Sequence, residues 1–278
     1  MSIARRTDWV AHAVLGLAAL LFALPVWVAV AGSTQSAGAI ARGEVSLIPN
    51  PAGLGTYWDV LRNGGPGTGP VWRMMALSAA MALSIALGKI ALSVLSAFAV
   101  AFFRFPFRRL AFWTIFLTLM LPVEVRIVPT YTVVAGLGLI NTFAGLTLPL
   151  VASATATLLF RQTFTAVPDE LVEAARMDGA GPLAFLRHVL LPVSAPNLAA
   201  MFVILFVYGW NQYLWPLLVA TDPRLDTVGI GIVKMIGVDT ATEWNKVMAT
   251  AVLALVPPVA VVLLMQRWFV KGLTDTEK

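Results

Sequence analysis

The feature that most constrains this chain is a series of apolar stretches, each long enough to cross a lipid bilayer. The hydrocarbon core of a bilayer is about 30 Å thick, and an α-helix crosses it in about 20 residues. With 59% apolar and only 12% charged residues, a soluble fold of this length would leave many apolar side chains in water. The sequence therefore predicts an all-α integral membrane protein with one domain over residues 1–278. The predicted spans are about 10–31, 73–102, 110–134, 144–164, 197–219 and 247–269.

The distribution of Lys and Arg predicts the orientation, because short cytoplasmic loops are enriched in these residues. With the N-terminus inside, eleven basic residues fall on the cytoplasmic side and six outside. Both termini are therefore predicted to be cytoplasmic. Arg5 and Arg6 precede the first span, whose apolar run is longer than the ~7–15 residues of a cleavable signal peptide. We expect a retained helix there.

The composition excludes several kinds of site. The chain has no cysteine and only two histidines, His12 and His188, so thiolate chemistry and a histidine metal site are excluded. The spans contain no histidine after His12 and no paired carboxylates, so an intramembrane enzyme is not predicted. No catalytic residue and no metal ligand is assigned. The basic residues lie in small groups between apolar runs, which argues against a nucleic-acid partner.

A secondary transporter is the alternative from another class. Such proteins commonly contain internal repeats or broken half-helices and carry coupling-ion residues near the midplane. Glu124 could accept a proton, but no repeat is apparent in the sequence. We therefore consider this function less favoured.

The predicted cytoplasmic loop at 165–196 carries the most informative pattern. Pro168 and the two acidic residues after it favour a helix start, and Gly179 can end that helix in the left-handed conformation. Leu171, Ala174 and Ala175 are expected to share one face, where small side chains allow another surface to approach closely. From the residues alone, a docking helix and a solvated linker both remain open.

The spacing in this loop resembles the EAA loop of ABC importer permeases. Glu173-Ala174-Ala175 is followed after three residues by Gly179, and later by Leu191-Pro192. The resemblance implies a type I importer permease fold with six spans, in which this loop forms the coupling helix seated in a cleft of a cytoplasmic ATPase. The residues that it assigns to this contact are Glu173, Ala174, Ala175, Asp178, Gly179, Leu191 and Pro192.

Other stretches narrow the resemblance to the carbohydrate-uptake type of these permeases. Residues 116–126, 208–216, 242–245 and 265–273 resemble, within that group, the permeases of sn-glycerol-3-phosphate importers. The implied cargo is sn-glycerol-3-phosphate or a glycerophosphodiester. A sugar or polyol remains the alternative, because the external binding protein selects much of the cargo.

The resemblance also implies the partners and the location. The chain would pair with a second, different permease subunit, two copies of a cytoplasmic ATPase and an external solute-binding protein, surrounded by membrane lipid. ATP and Mg would be bound by the ATPase, so this chain would bind no cofactor and would catalyse no reaction. The implied location is the bacterial cytoplasmic (inner) membrane.

Charged residues lie inside the predicted spans, and Glu124 and Arg126 are candidates for the substrate path. Lys89, Glu124 and Arg126 lie within or beside apolar runs, where a lone charge costs roughly 2.5–3.5 kcal/mol on insertion scales. Arg126 could attract an anionic phosphate. Alternatively, Glu124 pairs with Lys89 or Arg126 and fixes helix packing.

A polar and aromatic group in the fifth predicted span offers further candidates. Asn211 and Gln212 are adjacent, so in a continuous helix they would lie about 100° apart and could border one pore with Trp215. Pore lining and hydrogen bonding between helices both remain open for them.

Overall fold

The computed structural model describes residues 3–237 and 242–274. The described chain is built from helices, with 3-10 turns at Pro51–Leu54, Leu148–Leu150 and Pro223–Leu225 and a π-helical turn at Leu186–Leu190. The helices in chain order are α1 (Ile3–Ser33), α2 (Ala37–Ala41), α3 (Gly55–Asn63), α4 (Val71–Phe102), α5 (Arg108–Met120), α6 (Val123–Gly136), α7 (Phe143–Thr147), α8 (Ala154–Thr165), α9 (Asp169–Met177), α10 (Pro182–Phe185), α11 (Leu191–Val193), α12 (Ala195–Trp210), α13 (Leu214–Val219), α14 (Val228–Met235) and α15 (Trp244–Thr274).

Three of the described helices are long and apolar enough to cross a membrane alone, within Trp9–Ser33, Val71–Phe102 and Trp244–Trp268. Two bent pairs pass the same test together. Phe143–Leu150 continues into Ala154–Thr165 with a bend of 47°, and Pro182–Val193 continues into Ala195–Trp210 with a bend of 78°. Counting each pair as one span gives up to five in the described part of the chain.

Three of the predicted spans are divided in the structure, and the one predicted at 144–164 is the bent pair Phe143–Leu150 and Ala154–Thr165. The stretch predicted at 110–134 forms α5 and α6, which are separated at Leu121 and Pro122. The stretch predicted at 197–219 forms α12, which ends at Trp210, and the short α13. Pro122 lacks a backbone N–H and its ring opposes a continuous helix, which explains the break between α5 and α6.

The chain consists of two compact units, and the first comprises Met1–Met75 and Ile230–Val256. In this unit the predicted external loop is held by specific hydrogen bonds. Thr34 Oγ1 accepts from the backbone N–H of Asn50 at 2.9 Å, and Ser33 Oγ lies 2.6 Å from the Tyr57 hydroxyl. Lys246 Nζ forms an ion pair with Asp59 at 3.2 Å.

The second unit comprises Ala76–Gly229 and Pro257–Lys278. Here α4 packs closely on α12, because a Cβ built on Gly209 would lie 2.9 Å from the Cα of Ala82. Ser78 is also buried, and its hydroxyl accepts the backbone N–H of Val228 at 2.9 Å. The small residues of α4 therefore serve packing inside this unit. This unit also contains every residue of the candidate sites below.

Candidate substrate cavity and coupling helix

Helix α9 lies where the sequence predicts a helix, and both of its ends have a clear local cause. Asp169 and Glu170 occupy its first turn, where carboxylates interact favourably with the positive end of the helix dipole. At the other end, Gly179 adopts a left-handed φ of +73°. The backbone N–H of Ala180 donates to the carbonyl of Ala175 at 2.9 Å, and that of Gly179 donates to Arg176 at 3.0 Å. This pair of bonds is the Schellman motif.

The two faces of α9 have different surroundings. Ala175 is buried, and together with Val172 it lines a cavity of about 280 Å³ within the second unit. Glu173 and Ala174 are exposed, and Met177 keeps 88% of its surface exposed. Ala175 turns toward the protein interior and Ala174 faces outward, and the close approach of another surface to this side of α9 stays a prediction.

The remaining residues predicted for the coupling contact lie in the same loop. Asp178 caps the C-terminus of α9, and its backbone N–H donates to Ala174 at 3.0 Å. Leu191 and Pro192 lie in α11, after the π-helical turn, with Leu191 half-buried and Pro192 exposed. The contact of these residues with an ATPase stays a prediction.

A cluster of phenylalanine rings joins this loop to the end of α4. The rings of Phe102 and Phe185 lie 5.4 Å apart, and Phe98 lies 6.5 Å from Phe185 and 5.5 Å from Phe102. Phe98 and Phe185 are both buried. These rings bring the loop that follows α9 into direct contact with α4.

A larger cavity of about 760 Å³ lies along α4 in the same unit. Lys89 and Arg126 both line it, as do Tyr208 and the first residues of α8. Its lining contains no carboxylate among the described side chains. The side chain of Glu124 lies outside the described part of the chain. Pairing of Glu124 with Lys89 or Arg126 therefore stays a prediction.

Lys89 is held against an aromatic ring. Its side chain is only 6% exposed, and its Nζ lies 4.2 Å from the centroid of the Tyr208 ring. A cation over a ring face is attracted by the negative face of the π-system, and the attraction is larger when both groups are desolvated. Arg126 is exposed toward the cavity from α6.

The N-terminus of α8 adds positive potential to this cavity. Residues 152–155, which precede and begin α8, line the wall, and the Ser153 side chain caps the backbone N–H of Ala156 at 3.3 Å. The free N–H groups and the aligned peptide dipoles at a helix N-terminus favour anions. Two cations and a helix N-terminus therefore converge on one cavity.

A smaller cavity of about 140 Å³ shares Lys89, Arg126, Ala152 and Tyr208 with the larger one. Gln212 and Trp215 line it. Trp215 is buried, and its indole N–H donates to the carbonyl of Gly145 at 3.1 Å. Gln212 Nε2 donates to the carbonyl of Tyr208 at 3.2 Å. The two cavities thus meet at Lys89 and Arg126.

Asn211 does not join this group. It is exposed and caps the C-terminus of α12, and it lies in the lining of neither cavity. The prediction that Asn211 and Gln212 occupy successive positions of one continuous helix is wrong, because α12 ends at Trp210.

Sequence reasoning did not assign Lys89 and Tyr208 to the substrate path, although both line the two cavities. Thr118 and Ser153 were also missed. The charge of Lys89 within an apolar run was a usable signal for a functional position. Nothing in the sequence indicates that Lys89 and Tyr208, which are far apart in the chain, face each other.

The comparisons with known proteins identify the family of the chain. Residues 89–275 match the family described as "binding-protein-dependent transport system inner membrane component". This match covers more than half of the chain, including Lys89, the cavities and α9. The chain belongs to this family. It is therefore an inner membrane component of a transport system of this kind and is not itself expected to catalyse a reaction.

Relatives and a solved structure place the chain more closely. It is 54% identical over 272 residues to the sn-glycerol-3-phosphate transport system permease protein UgpE of Agrobacterium fabrum, covering 97% of this chain and 96% of that protein. The protein of the same name from Escherichia coli O157:H7 is 55% identical over 267 residues, covering 95% and 94%. A chain of a bacterial ABC transporter involved in the import of the acidic polysaccharide alginate superposes with a TM-score of 0.83 at 24% identity, covering 97% of this chain and 99% of that one. That likeness confirms the predicted fold, the all-α permease fold of an ABC importer.

Proposed function

We propose that this chain is the membrane-spanning permease subunit of an ATP-driven importer of sn-glycerol-3-phosphate or glycerophosphodiesters. The names of relatives that are 54–55% identical over almost the whole chain support this cargo. The observation that carries the proposal is the convergence of Lys89, Arg126 and the N-terminus of α8 on one cavity.

The electrostatics of this cavity favour an anionic cargo over a neutral one. Two like charges that face one low-dielectric space repel each other and lose hydration. A phosphate ester between them would relieve the repulsion and gain charge-assisted hydrogen bonds. The Lys89 ammonium lies over the Tyr208 ring, and this contact orients Lys89 in the cavity before the anion arrives.

The partners follow from the same proposal. A second, different permease subunit completes the translocation path, two copies of a cytoplasmic ATPase bind ATP and Mg, and an external solute-binding protein delivers the cargo. This chain binds no cofactor and supplies no catalytic residue. No nucleic acid takes part.

Transport proceeds by alternating access. ATP binding closes the two ATPases and displaces the coupling helix α9, and hydrolysis resets it. The Phe98, Phe102 and Phe185 cluster passes the displacement to α4. Lys89 lies on the same helix about 20 Å from Phe102, since each residue of an α-helix adds about 1.5 Å. Cargo and ATP must each bind one state more tightly, because equal affinity for both states would shift nothing.

Uptake by the reconstituted complex tests the proposed cargo. Arg126→Gln should lower the uptake of sn-glycerol-3-phosphate by about tenfold or more, since one charge-assisted hydrogen bond contributes roughly 1.5–3 kcal/mol. Lys89→Gln should do the same, whereas Lys89→Arg should retain part of the activity. Arg224→Gln, at an exposed arginine in the second unit, is the matched control and should transport normally.

Uptake of a neutral sugar tests the alternative cargo, which is a sugar or polyol. Tyr208, Gln212 and Trp215 line the smaller cavity, and aromatic and amide groups of this kind also suit a sugar or polyol. Three results together would overturn the phosphate proposal. The wild-type complex, supplied with its cognate binding protein, would carry a neutral sugar, and Arg126→Gln would leave that uptake intact. The complex would not carry sn-glycerol-3-phosphate.

A further inference from the structure

We propose that a second basic cavity, formed at the coupling-loop end of α4, binds the headgroup of an anionic phospholipid from the cytoplasmic leaflet. This cavity of about 580 Å³ lies wholly in the second unit. It shares no lining residue with the two cavities around Lys89. The lining residues are Val100, Arg104, Phe105, Phe107, Arg108, Arg109, Phe112, Trp113 and Arg161. The inference is independent of the transported cargo.

The cavity concentrates positive charge, and no carboxylate among the described side chains lines it. Its lining includes four arginines. Glu124 is the only acidic residue between Asp59 and Asp169 in the sequence. None of the ion pairs found among the described side chains involves these four arginines. A group of like charges at close range is stabilised by a bound anion.

Arg161 provides the most specific sign of a ligand. It extends from α8 and is partly buried, with its guanidinium carbon 4.6 Å from the centroid of the Phe112 ring. Its Nε atom is buried and has no hydrogen-bond partner among the described residues. A buried donor left unpaired is costly, and a phosphate oxygen would pair with it.

The rim of the cavity indicates a lipid rather than a free anion. Phe107 and Trp113 are 78% and 56% exposed, and both line the cavity beside the arginines. Phe107 lies at the N-cap of α5 with a left-handed φ of 61°. A phospholipid presents a phosphate and apolar chains together, which matches arginines flanked by exposed rings. Basic pockets between transmembrane helices on the cytoplasmic side bind such headgroups.

The position of this cavity at the end of α4 fits a lipid of the cytoplasmic leaflet. Val100 lines this cavity from the end of α4, where Phe102 packs against the loop after α9. That loop is predicted to be cytoplasmic, as are the arginines of the cavity. A lipid bound here would brace α5 against α8, the helix whose N-terminus lines the proposed substrate cavity.

Native mass spectrometry of the assembled importer in detergent tests the proposal. Phosphatidylglycerol and cardiolipin are titrated separately, with phosphatidylcholine as the neutral lipid. The wild type should retain the anionic lipids preferentially. The double variant Arg104→Gln, Arg109→Gln should bind them about 25-fold more weakly, since each basic residue near an anionic headgroup contributes about a fivefold factor. Both positions are exposed, so the fold should persist.

Two control variants distinguish a specific lipid site from a general effect of positive charge on lipid retention. Arg267→Gln removes an exposed basic residue of α15 that is also predicted to be cytoplasmic and should leave retention unchanged. Arg161→Lys keeps the charge but removes Nε, and should weaken retention severalfold. Equal retention by the wild type and the double variant would overturn the proposal. Displacement of the lipid by equimolar inorganic phosphate, or another subunit found filling the cavity, would overturn it as well.

Discussion

The rings of Phe102 and Phe185 meet edge to face, with their centroids 5.4 Å apart and their planes at 73°. Phe102 is the last residue of α4, and Phe185 is the last residue of α10. The contact therefore joins the helix that carries Lys89 to the loop that contains α9. In the proposed mechanism, this contact passes a movement of α9 to the helix that lines the proposed substrate cavity.

Replacing Phe185 with leucine should weaken this link. Phe185→Leu nearly conserves the volume but removes the ring contacts with Phe98 and Phe102, which contribute about 0.5–1.5 kcal/mol per aromatic pair beyond burial. We expect uptake per ATP hydrolysed to fall by about threefold to tenfold while the complex still assembles. Phe202→Leu removes a ring stacked on Phe206 at 6.1 Å and is the control. Equal ratios of uptake to hydrolysis in the two variants would show that this ring contact does not transmit movement.

The coupling helix makes a prediction at Gly179. A Cβ built on Gly179 meets no atom of the described chain within 4 Å. A steric clash of a side chain at this position would therefore be with a partner subunit. Asparagine tolerates the left-handed conformation, so Gly179→Asn should preserve the end of α9. We expect Gly179→Asn to impair ATPase docking and coupled uptake, measured by co-purification and ATP-dependent transport.

Gly138 provides the matched control for this substitution. It has a φ of +69° and the same open surroundings, but it lies between α6 and α7 on the predicted external side. Gly138→Asn should dock the ATPase normally. If Gly179→Asn behaves like Gly138→Asn and only Gly179→Val fails, Gly179 serves to end the helix and does not contact a partner.

The close approach of α4 and α12 predicts a loss of stability on adding one methyl group. A Cβ on Gly209 would lie 2.9 Å from the Cα of Ala82, and that backbone cannot move away without shifting the whole helix. Gly209→Ala should destabilise the protein by about 1–3 kcal/mol through overpacking, seen as a lower melting temperature of the purified complex. Gly136→Ala, where a Cβ meets nothing within 4 Å, should be neutral or slightly stabilising. An unchanged melting temperature for Gly209→Ala would contradict the packing.

The contact between Lys89 and Tyr208 can be tested by separating the ring from the hydroxyl. Tyr208→Phe keeps a ring face under Lys89 and should transport nearly as well as the wild type. Tyr208→Leu removes the cation–π attraction, worth roughly 0.5–2 kcal/mol, and should lower both stability and uptake. Identical losses in the two variants would indicate that the hydroxyl group is what matters.

Local features of this fold could be predicted from the sequence, and long-range features could not. The start of α9 and the turn at Gly179 depend on dipole and backbone effects within a few residues, so the pattern was sufficient. The break after Trp210 was missed because Leu214–Val219 is as apolar as the helix before it, and hydropathy does not register a change of direction.

The candidate substrate site shows the same division. Arg126 stood out as a charge near an apolar run, but its neighbours come from four separate parts of the chain. Ala175 was predicted to share one face of α9 with Leu171 and Ala174, but three positions on a short helix cannot show which side meets the protein. The phenylalanine cluster that buries Ala175 on one side involves α4, which is distant in sequence.

The most direct test is a crosslink from α9 to the ATPase. The chain contains no cysteine, so Met177→Cys introduces a unique thiol at a position that is 88% exposed. In the assembled complex, a short thiol-to-amine reagent should join this cysteine to the ATPase, with a yield that changes when ATP is bound. Ile48→Cys, at a position that is also well exposed at 78% but lies on the predicted external side, should give no such product. Absence of the Met177→Cys crosslink in both nucleotide states, in a complex that still transports, would contradict the account.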